Sequence, residues 1–138
     1  MALAPEDRLA ISELIALHGH LVDDGELDRS AEVFTPDVVY DLSDFGQGQV
    51  TGLDALREAA LALGPASPVA HHVTNVVLTA ETEGRVLARS KGLGVMADGS
   101  CGSVTYEDVV VRGDAGWRVC RRKVVARRVP LGGLGQGG

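Results

Sequence analysis

The second half of the chain contains four β-rich runs joined by short turns, and these runs constrain the fold more than any other feature. They lie at about residues 70–80, 85–97, 103–112 and 117–129. A parallel return between neighbouring strands needs a dozen or more linking residues, whereas antiparallel strands need only a few. The pattern therefore predicts a four-stranded antiparallel meander.

Helical patterns dominate the first half of the chain. Apolar residues recur at helical spacing from Pro5 to about Asp23, and Asp24-Gly25 supplies a stop signal. A short second helix is predicted from about Glu26 to Phe34, because Pro36 disfavours helical geometry in the residue before it.

A strand, a loop and a third helix are predicted next. The run from Val38 to Leu42 reads as a strand, and the glycine-rich stretch from Ser43 to Gly52 reads as a loop or an irregular hairpin. Thr51 and Asp54 match a capping box in front of an alanine- and leucine-rich helix that ends at Gly64. Helices followed by a meander predict an α+β fold, and a bent sheet with helices over one face leaves a concave interior for a small-molecule pocket.

The composition is that of one folded domain, with 45% apolar and 23% charged residues. We expect that domain over residues 1–130 and a flexible glycine-rich tail over residues 131–138. No apolar run approaches the roughly 20 residues that a membrane span needs, and the first residues lack the layout of a signal peptide. The expectation is therefore a cytoplasmic protein with no membrane partner. Cys101 and Cys120 show no CxxC spacing, which predicts free, buried thiols and no metal site.

The formal net charge of −6 is unevenly distributed along the chain. The segment from Arg112 to Arg128 contains seven basic residues and the single acid Asp114. In a strand, RVCRRKVVARR points its charges to both faces, and no aromatic residues are interleaved with it for stacking on bases. Ion pairs and a solvated or subunit-facing sheet surface explain the segment better than nucleic-acid binding does.

Four runs carry a family resemblance together: HLVDDGELD, VFTPDVVYDLSDFGQGQVTGLDALREA, AHHVTNVVL and VTYEDVVVRGDAGWRVCRRKV. From about residue 6 to 128 the chain resembles the SnoaL-like branch of the nuclear transport factor 2-like (NTF2-like) superfamily, which includes polyketide cyclases and scytalone dehydratase. The resemblance implies a cone-shaped curved sheet, antiparallel or mixed, wrapped around a long N-terminal helix. It also implies a deep apolar pocket and a homo-oligomer, either a dimer or a trimer.

Asp23 and His71 are the candidate catalytic residues. In the dehydratases and dehydrochlorinases that the chain resembles, an aspartate ends the first helix and a histidine opens the strand after helix three. A histidine suits proton abstraction near neutral pH, and a carboxylate can orient the imidazole and stabilise its charged form. Strand alternation sends His71 and His72 to opposite faces without choosing between them, and the resemblance favours His71.

Five further side chains are candidates to bind a substrate: His18, Tyr40, Phe45, Asn75 and Tyr106. The resemblance implies that His18 reaches the pocket from the first helix. The phenol of Tyr40 can donate a hydrogen bond to a substrate oxygen or pack in the core. Strand alternation puts Asn75 and Val77 on the same face as His71.

The last hairpin is predicted to turn at Asp114. A turn centred there places Tyr106 opposite Arg122 and Asp108 opposite Cys120, with Asp108 diagonal to both Arg118 and Arg122 in an ion-pair ladder.

The function predicted from these residues is cofactor-independent acid–base catalysis on a small, largely apolar molecule, as a lyase or dehydratase, an isomerase or a cyclase. The chain has no P-loop, no HExxH and no GxGxxG that opens a helix, so no cofactor and no metal is expected. Two alternatives stay open. One is a non-catalytic small-molecule-binding or assembly module with the same fold, and the other is the small subunit of a ring-hydroxylating oxygenase.

Overall fold

The structure of the protein is a computed structural model that describes residues 2–135. Two α-helices and six strands form its frame, with short 3-10 helices in the connections. The helices are α1 (Pro5–Asp23) and α2 (Leu53–Leu63), and the strands are β1 (Phe34–Asp41), β2 (Gln49–Thr51), β3 (Ala70–Thr82), β4 (Arg85–Val95), β5 (Cys101–Gly113) and β6 (Gly116–Ala126).

The six strands of residues 2–135 form one curved, mixed sheet in the order β2-β1-β6-β5-β4-β3. Strands β3 to β6 pair antiparallel in chain order, which confirms the predicted meander. β1 joins β6 in parallel, and the chain passes through α2 and four other strands before β6 returns beside β1. The fold is α+β, as predicted.

One face of the sheet is buried beneath α1. On β4 the buried side chains alternate with exposed ones, so that Val86, Ala88 and Ser90 face inward. Ile11 and Ile15 of α1 are fully buried against this face. The rest of the apolar core comes from the start of β1 and from inward-facing positions of β5 and β6, namely Phe34, Val38, Val110, Trp117 and Val119.

Three predictions for the first half are wrong in detail. The second helix is only a 3-10 helix over Leu27–Glu32, and β1 begins earlier than predicted, at Phe34. Pro36 lies inside β1, where the pairing with β6 is interrupted between Phe34 and Val39, so its missing N–H leaves no gap in a regular ladder. The capping box predicted from Thr51 and Asp54 is absent. The residue directly before α2 is Gly52, at φ 90°, and no side chain caps that helix.

The predicted register of the last hairpin is also wrong. Asp108 lies opposite Arg122, and Tyr106 lies opposite Val124. The turn is centred between Asp114 and Ala115 rather than on Asp114, since Gly113 pairs with Gly116, and this moves the pairing by one residue. A bulge at Cys120 then shifts β6 by one further residue, and the two shifts together bring Arg122 directly across from Asp108.

A buried ion pair results from this register. The guanidinium of Arg122 is fully buried, and its Nε–H and Nη2–H groups donate to the two carboxylate oxygens of Asp108, each at 2.8 Å. The ring of Tyr106 lies beneath the guanidinium, 4.2 Å from its central carbon. Two parallel charge-assisted hydrogen bonds satisfy most of the charge that Arg122 carries into the core.

The ends of the chain and the cysteines complete the description. A short 3-10 turn follows β6 at Pro130–Gly133, and residues 136–138 of the predicted flexible tail lie outside the described residues. The domain boundary at residue 130 stays a prediction.

Cys101 is exposed, contrary to the expected burial, and Cys120 is partly buried. Within residues 2–135, no helix combines the length and the hydropathy that spanning a bilayer requires.

Replacing Asp108 by asparagine should destabilise the protein strongly. The amide would leave the buried charge of Arg122 without its counter-ion, which costs about 3–5 kcal/mol of unfolding free energy. Glu107→Gln is the matched control, because Glu107 is the exposed neighbour on the same strand and its change should stay within about 0.5 kcal/mol. Equal effects of the two variants in urea unfolding would contradict this account of the core.

Candidate active site

The concave face of the sheet encloses an open, largely apolar pocket of about 480 Å³. Its lining comes from β3 to β6, from the segment between Tyr40 and Gln47, and from Leu63 and Pro68 in and after α2. Its wall includes His71, Tyr40, Phe45, Tyr106, Gly92 and Gly94. Four of the residues predicted from sequence to form a site therefore line the same pocket.

Asp23 and His71 are in direct contact. Oδ1 of Asp23 lies 2.7 Å from Nδ1 of His71, and Oδ2 accepts the backbone N–H of His71 at 3.0 Å. The side chains are 24% and 20% exposed, respectively, so both are largely removed from water. Asp23 lies behind His71 rather than on the pocket wall.

The close approach of α1 to β3 makes this contact possible. Asp23 is the last residue of α1, and Gly19 lies one turn earlier on the same side of the helix. A Cβ atom at Gly19 would lie only 2.9 Å from the carbonyl oxygen of His71. Glycine at this position therefore lets the helix come near enough for Asp23 to reach the strand.

The hydrogen bond to Asp23 determines which nitrogen of His71 is available. An ionised carboxylate only accepts hydrogen bonds, so Nδ1 of a neutral His71 carries the proton and Nε2 is free to accept another. His71 pairs with Gly94 on β4, whereas the exposed His72 pairs with Leu93 on the opposite face. Of the two histidines, His71 is therefore the one on the pocket side.

His18 is held in a different state. Nη1 of Arg122 lies 2.9 Å from Nδ1 of His18, and because arginine only donates, Nδ1 must accept and Nε2 must carry the proton. Burial, together with the charges of Arg122 and His71, holds the pKa of His18 well below its usual value. His18 is therefore a neutral side chain behind the pocket, not on its wall.

Tyr106 reaches the pocket across a glycine. A Cβ atom at Gly92 would lie 2.5 Å from Cε2 and 2.7 Å from the hydroxyl oxygen of Tyr106, so the ring lies in the space that the missing side chain leaves. Burial raises the pKa of Tyr106 to about 12, which keeps the phenol protonated as a hydrogen-bond donor. The Tyr40 phenol lies on the same wall, and its ring contacts that of Phe34 at 6.0 Å.

The prediction for Asn75 is corrected by the structure. Asn75 is exposed, has φ 58° and lies in a bulge of β3 between Thr74 and Val77, outside the pocket. The bulge reverses the alternation beyond it, so that Val76 packs on the core while Val77 is exposed. Simple alternation from His71 therefore predicted the wrong face.

Several wall residues were not predicted from the sequence. Gly92 and Gly94 alternate on β4, a pattern that marks one face of a strand without side chains and could have indicated a cavity. Arg127 and Arg128 also line the pocket, and the sequence interpretation grouped them with a solvated basic surface. In the part of the chain that the structure describes, no three His, Cys, Asp or Glu side chains are grouped so that they could hold a metal ion.

The family model for the SnoaL-like domain matches residues 4–123. The chain belongs to the SnoaL-like family. No protein with curated function matches it significantly.

Solved structures show how widely this SnoaL-like fold is shared. A Novosphingobium aromaticivorans protein with the provisional name aromatic ring hydroxylase is 30% identical, with a TM-score of 0.78 over 93% of this chain and 94% of its own. LinA is 24% identical, with a TM-score of 0.74 over 96% and 97% of the two chains. A provisionally named scytalone dehydratase from N. aromaticivorans is 20% identical, with a TM-score of 0.73 over 91% and 89%. An NTF2-like protein with a cystatin-like fold from the same organism has a TM-score of 0.75 at 25% identity.

A methyl group at Gly19 should separate the two members of the Asp–His pair. We expect Gly19→Ala to lower the unfolding free energy by about 1–3 kcal/mol, because α1 must move away from β3. It should also remove the NMR resonance of the His71 Nδ1 proton that the short contact with Asp23 protects from exchange. Gly113→Ala is the control, since a Cβ there meets nothing within 4 Å and its φ is ordinary. Retention of the resonance in Gly19→Ala would contradict the role given to Gly19.

Because His18 is neutral in the folded protein, the unfolding free energy of this SnoaL-like domain should decrease as the pH is lowered. The folded pKa lies below the unfolded value of about 6.5, so the unfolded chain takes up a proton that the native chain does not. The stability that His18 contributes is fully present above the unfolded pKa. It is lost as the pH falls from there towards the folded pKa, by up to ~1.4 kcal/mol per pH unit. His18→Gln, which keeps an acceptor for Arg122, should reduce this slope in urea unfolding. The exposed His20→Gln should not, and equal slopes in both variants would contradict the assignment.

Proposed function

We propose that this protein is a cofactor-independent acid–base enzyme that acts on a small, largely apolar molecule. One observation carries the proposal: the imidazole of His71 lines the pocket while its Nδ1 is bound to Asp23 at 2.7 Å. A base in this setting has one nitrogen oriented by a carboxylate and the other free for a substrate proton.

The first step is removal of a proton from carbon. Nε2 of His71 takes a proton from a carbon next to an electron-withdrawing group, and the electron pair moves onto the oxygen of that group. Asp23 stabilises the imidazolium that forms. The phenols of Tyr106 and Tyr40 lie on the same wall and can donate hydrogen bonds to the oxygen that gains charge.

Three reaction types share this first step. Loss of a β-hydroxyl gives elimination, return of the proton to another carbon gives isomerisation, and attack of the carbanion on a second carbonyl gives cyclisation. One solved relative carries the provisional name scytalone dehydratase, which supports elimination as one of the three. Membership of the SnoaL-like family supports the class of reaction without choosing among the three.

The expected homo-oligomer stays a prediction, and the side of the sheet opposite α1 is the surface available for it. Val77, Leu87 and Leu93 are exposed there. A stable dimer or trimer in sizing experiments would argue against the oxygenase-subunit alternative. That alternative would require association with a second, larger chain.

Substitution of either member of the pair should abolish turnover on an active compound. A panel of β-hydroxy ketones and other molecules with an acidic C–H can be followed by absorbance as conjugation appears or disappears. His71→Ala should lower kcat about a hundredfold to ten-thousandfold by removing the base. Asp23→Asn should lower it by about a hundredfold or more, since the amide does not stabilise the imidazolium.

His72→Ala is the matched control, because His72 is the adjacent histidine on the exposed face. Its kcat should equal that of the unmodified protein. If the pocket binds compounds but turns over none of them, and His71→Ala only weakens binding, the protein is a non-catalytic binding module and the proposal is wrong.

A further inference from the structure

The charges on the pocket wall differ from those of the chain as a whole. The chain contains 19 acidic and 13 basic residues, yet no aspartate or glutamate is among the wall residues of the described chain. Arg127 and Arg128 both line the pocket. A net negative protein therefore presents two positive groups at this opening, where low-dielectric walls concentrate their field.

Arg128 and His71 lie at opposite ends of one row across the sheet. His71 pairs with Gly94, and Gly94 pairs with Gly102 on β5. The backbone N–H of Arg127 donates to Ser103 O at 3.1 Å, so the β5–β6 pairing continues past β6, with Arg127 opposite Ser103 and Arg128 beside Gly102. Successive side chains alternate, so Arg128 is the one on the face of His71 and Arg127 borders the pocket from its edge. Three strand spacings separate the two ends, which is roughly 14 Å between backbones.

The space between the two ends is free of side chains from the sheet. Gly94 and Gly102 occupy the two intervening positions of the row, and both line the pocket. A Cβ at Gly102 would meet no atom within 4 Å, whereas a Cβ at Gly94 would lie 3.1 Å from Cγ of Pro68, so Pro68 bounds the His71 end of this floor. An apolar ligand body can lie over Gly102 and against Pro68, between His71 and the arginines.

Arg128 is held in place without a carboxylate partner. The guanidinium of Arg128 lies over the ring of Phe45 at 5.5 Å, and its Nη2–H donates to the backbone oxygen of Asp44 at 3.4 Å. The carboxylate of Asp44 accepts the backbone N–H of Ala126 at 3.1 Å. Within residues 2–135, neither Arg127 nor Arg128 has a carboxylate oxygen within 4.0 Å.

We propose that Arg128, assisted by Arg127 at the edge of the pocket, binds a carboxylate on the substrate at the end of the pocket remote from His71. The statement about which end reacts rests on the function proposed above, whereas the anion site itself does not. Guanidinium groups bind carboxylates through paired hydrogen bonds, and an arginine already stacked on an aromatic ring loses less freedom on binding. The substrate class is then an apolar molecule that carries an acidic C–H at one end and a carboxylate at the other.

A pair of probes that differ only in charge tests the anion site. Naphthoate and the matching naphthamide have nearly the same shape, and their binding can be measured by calorimetry or by naphthyl fluorescence. At low salt, naphthoate should bind about five- to tenfold more tightly than naphthamide. That preference should shrink at high salt, because these arginines are exposed.

Charge-removing variants identify the groups responsible. Arg128→Gln should strongly reduce the preference for naphthoate, Arg127→Gln should reduce it less, and the double variant should bring the two affinities together. Arg89→Gln is the matched control, since it removes the same charge from the opposite, exposed face of the sheet and should leave the preference unchanged.

The outcomes separate this proposal from the catalytic one. If naphthoate does not bind in the millimolar range, shows no preference over naphthamide, or keeps its preference in the double variant, the anion site is wrong. Loss of the preference in His71→Ala but not in the arginine variants would also overturn it, because the anion would then lie at the imidazole. A preference that depends on the arginines, together with no turnover of any panel compound, would support the anion site while the catalytic function failed.

Discussion

Arg122 places a full positive charge in the centre of the molecule, and the surrounding elements are arranged to satisfy it. Asp108 on β5 binds two of its N–H groups, and His18 on α1 accepts a third. The rings of Tyr106 and Phe34 lie 4.2 and 5.6 Å from its central carbon. Burial lowers the pKa of Arg122, but the charge and hydrogen bonds of Asp108 outweigh that effect and the pKa stays raised. A buried ion pair adds little stability compared with apolar packing, but it tolerates only one register and one helix position, because any other leaves a charge unpaired.

This constraint gives the two histidines of the site opposite properties. His18 is bound through Nδ1 to an obligate donor, so it cannot accept a second proton there without losing that hydrogen bond. His71 is bound through Nδ1 to an acceptor, so gaining a proton at Nε2 strengthens its contact with Asp23. Both histidines are held by α1, directly for His18 and through Asp23 for His71. The position of that helix over β3, which Gly19 permits, therefore determines the chemistry of both rings.

The sequence allows the large elements to be predicted, and the local irregularities explain the errors. The α1 boundaries and the meander follow from periodicity, which many residues support together. Asn75, Cys120 and Pro36 each lie at an interruption of strand pairing. The one extra residue at Asn75 or at Cys120, and the three extra residues of β1 around Pro36, change the face of the residues beyond. No local pattern marks these positions, because the bulge depends on what the neighbouring strand presents. The pairing of Asp23 with His71 was predicted through the family resemblance, since neither residue alone distinguishes a catalytic group from a helix-end acid or a strand histidine.

The glycines of the pocket wall show where the fold gives up stability for space. Glycine weakens a strand, because it loses more backbone freedom on folding and offers no side chain to pack. β4 nevertheless carries Gly92 and Gly94 on its inward face, directly after the buried Val86, Ala88 and Ser90. The ring of Tyr106 occupies the space above Gly92, and the pocket continues over Gly94 beside His71. The same strand thus builds the core at one end and the cavity at the other, and the change from β-branched and small side chains to glycine marks the boundary between them.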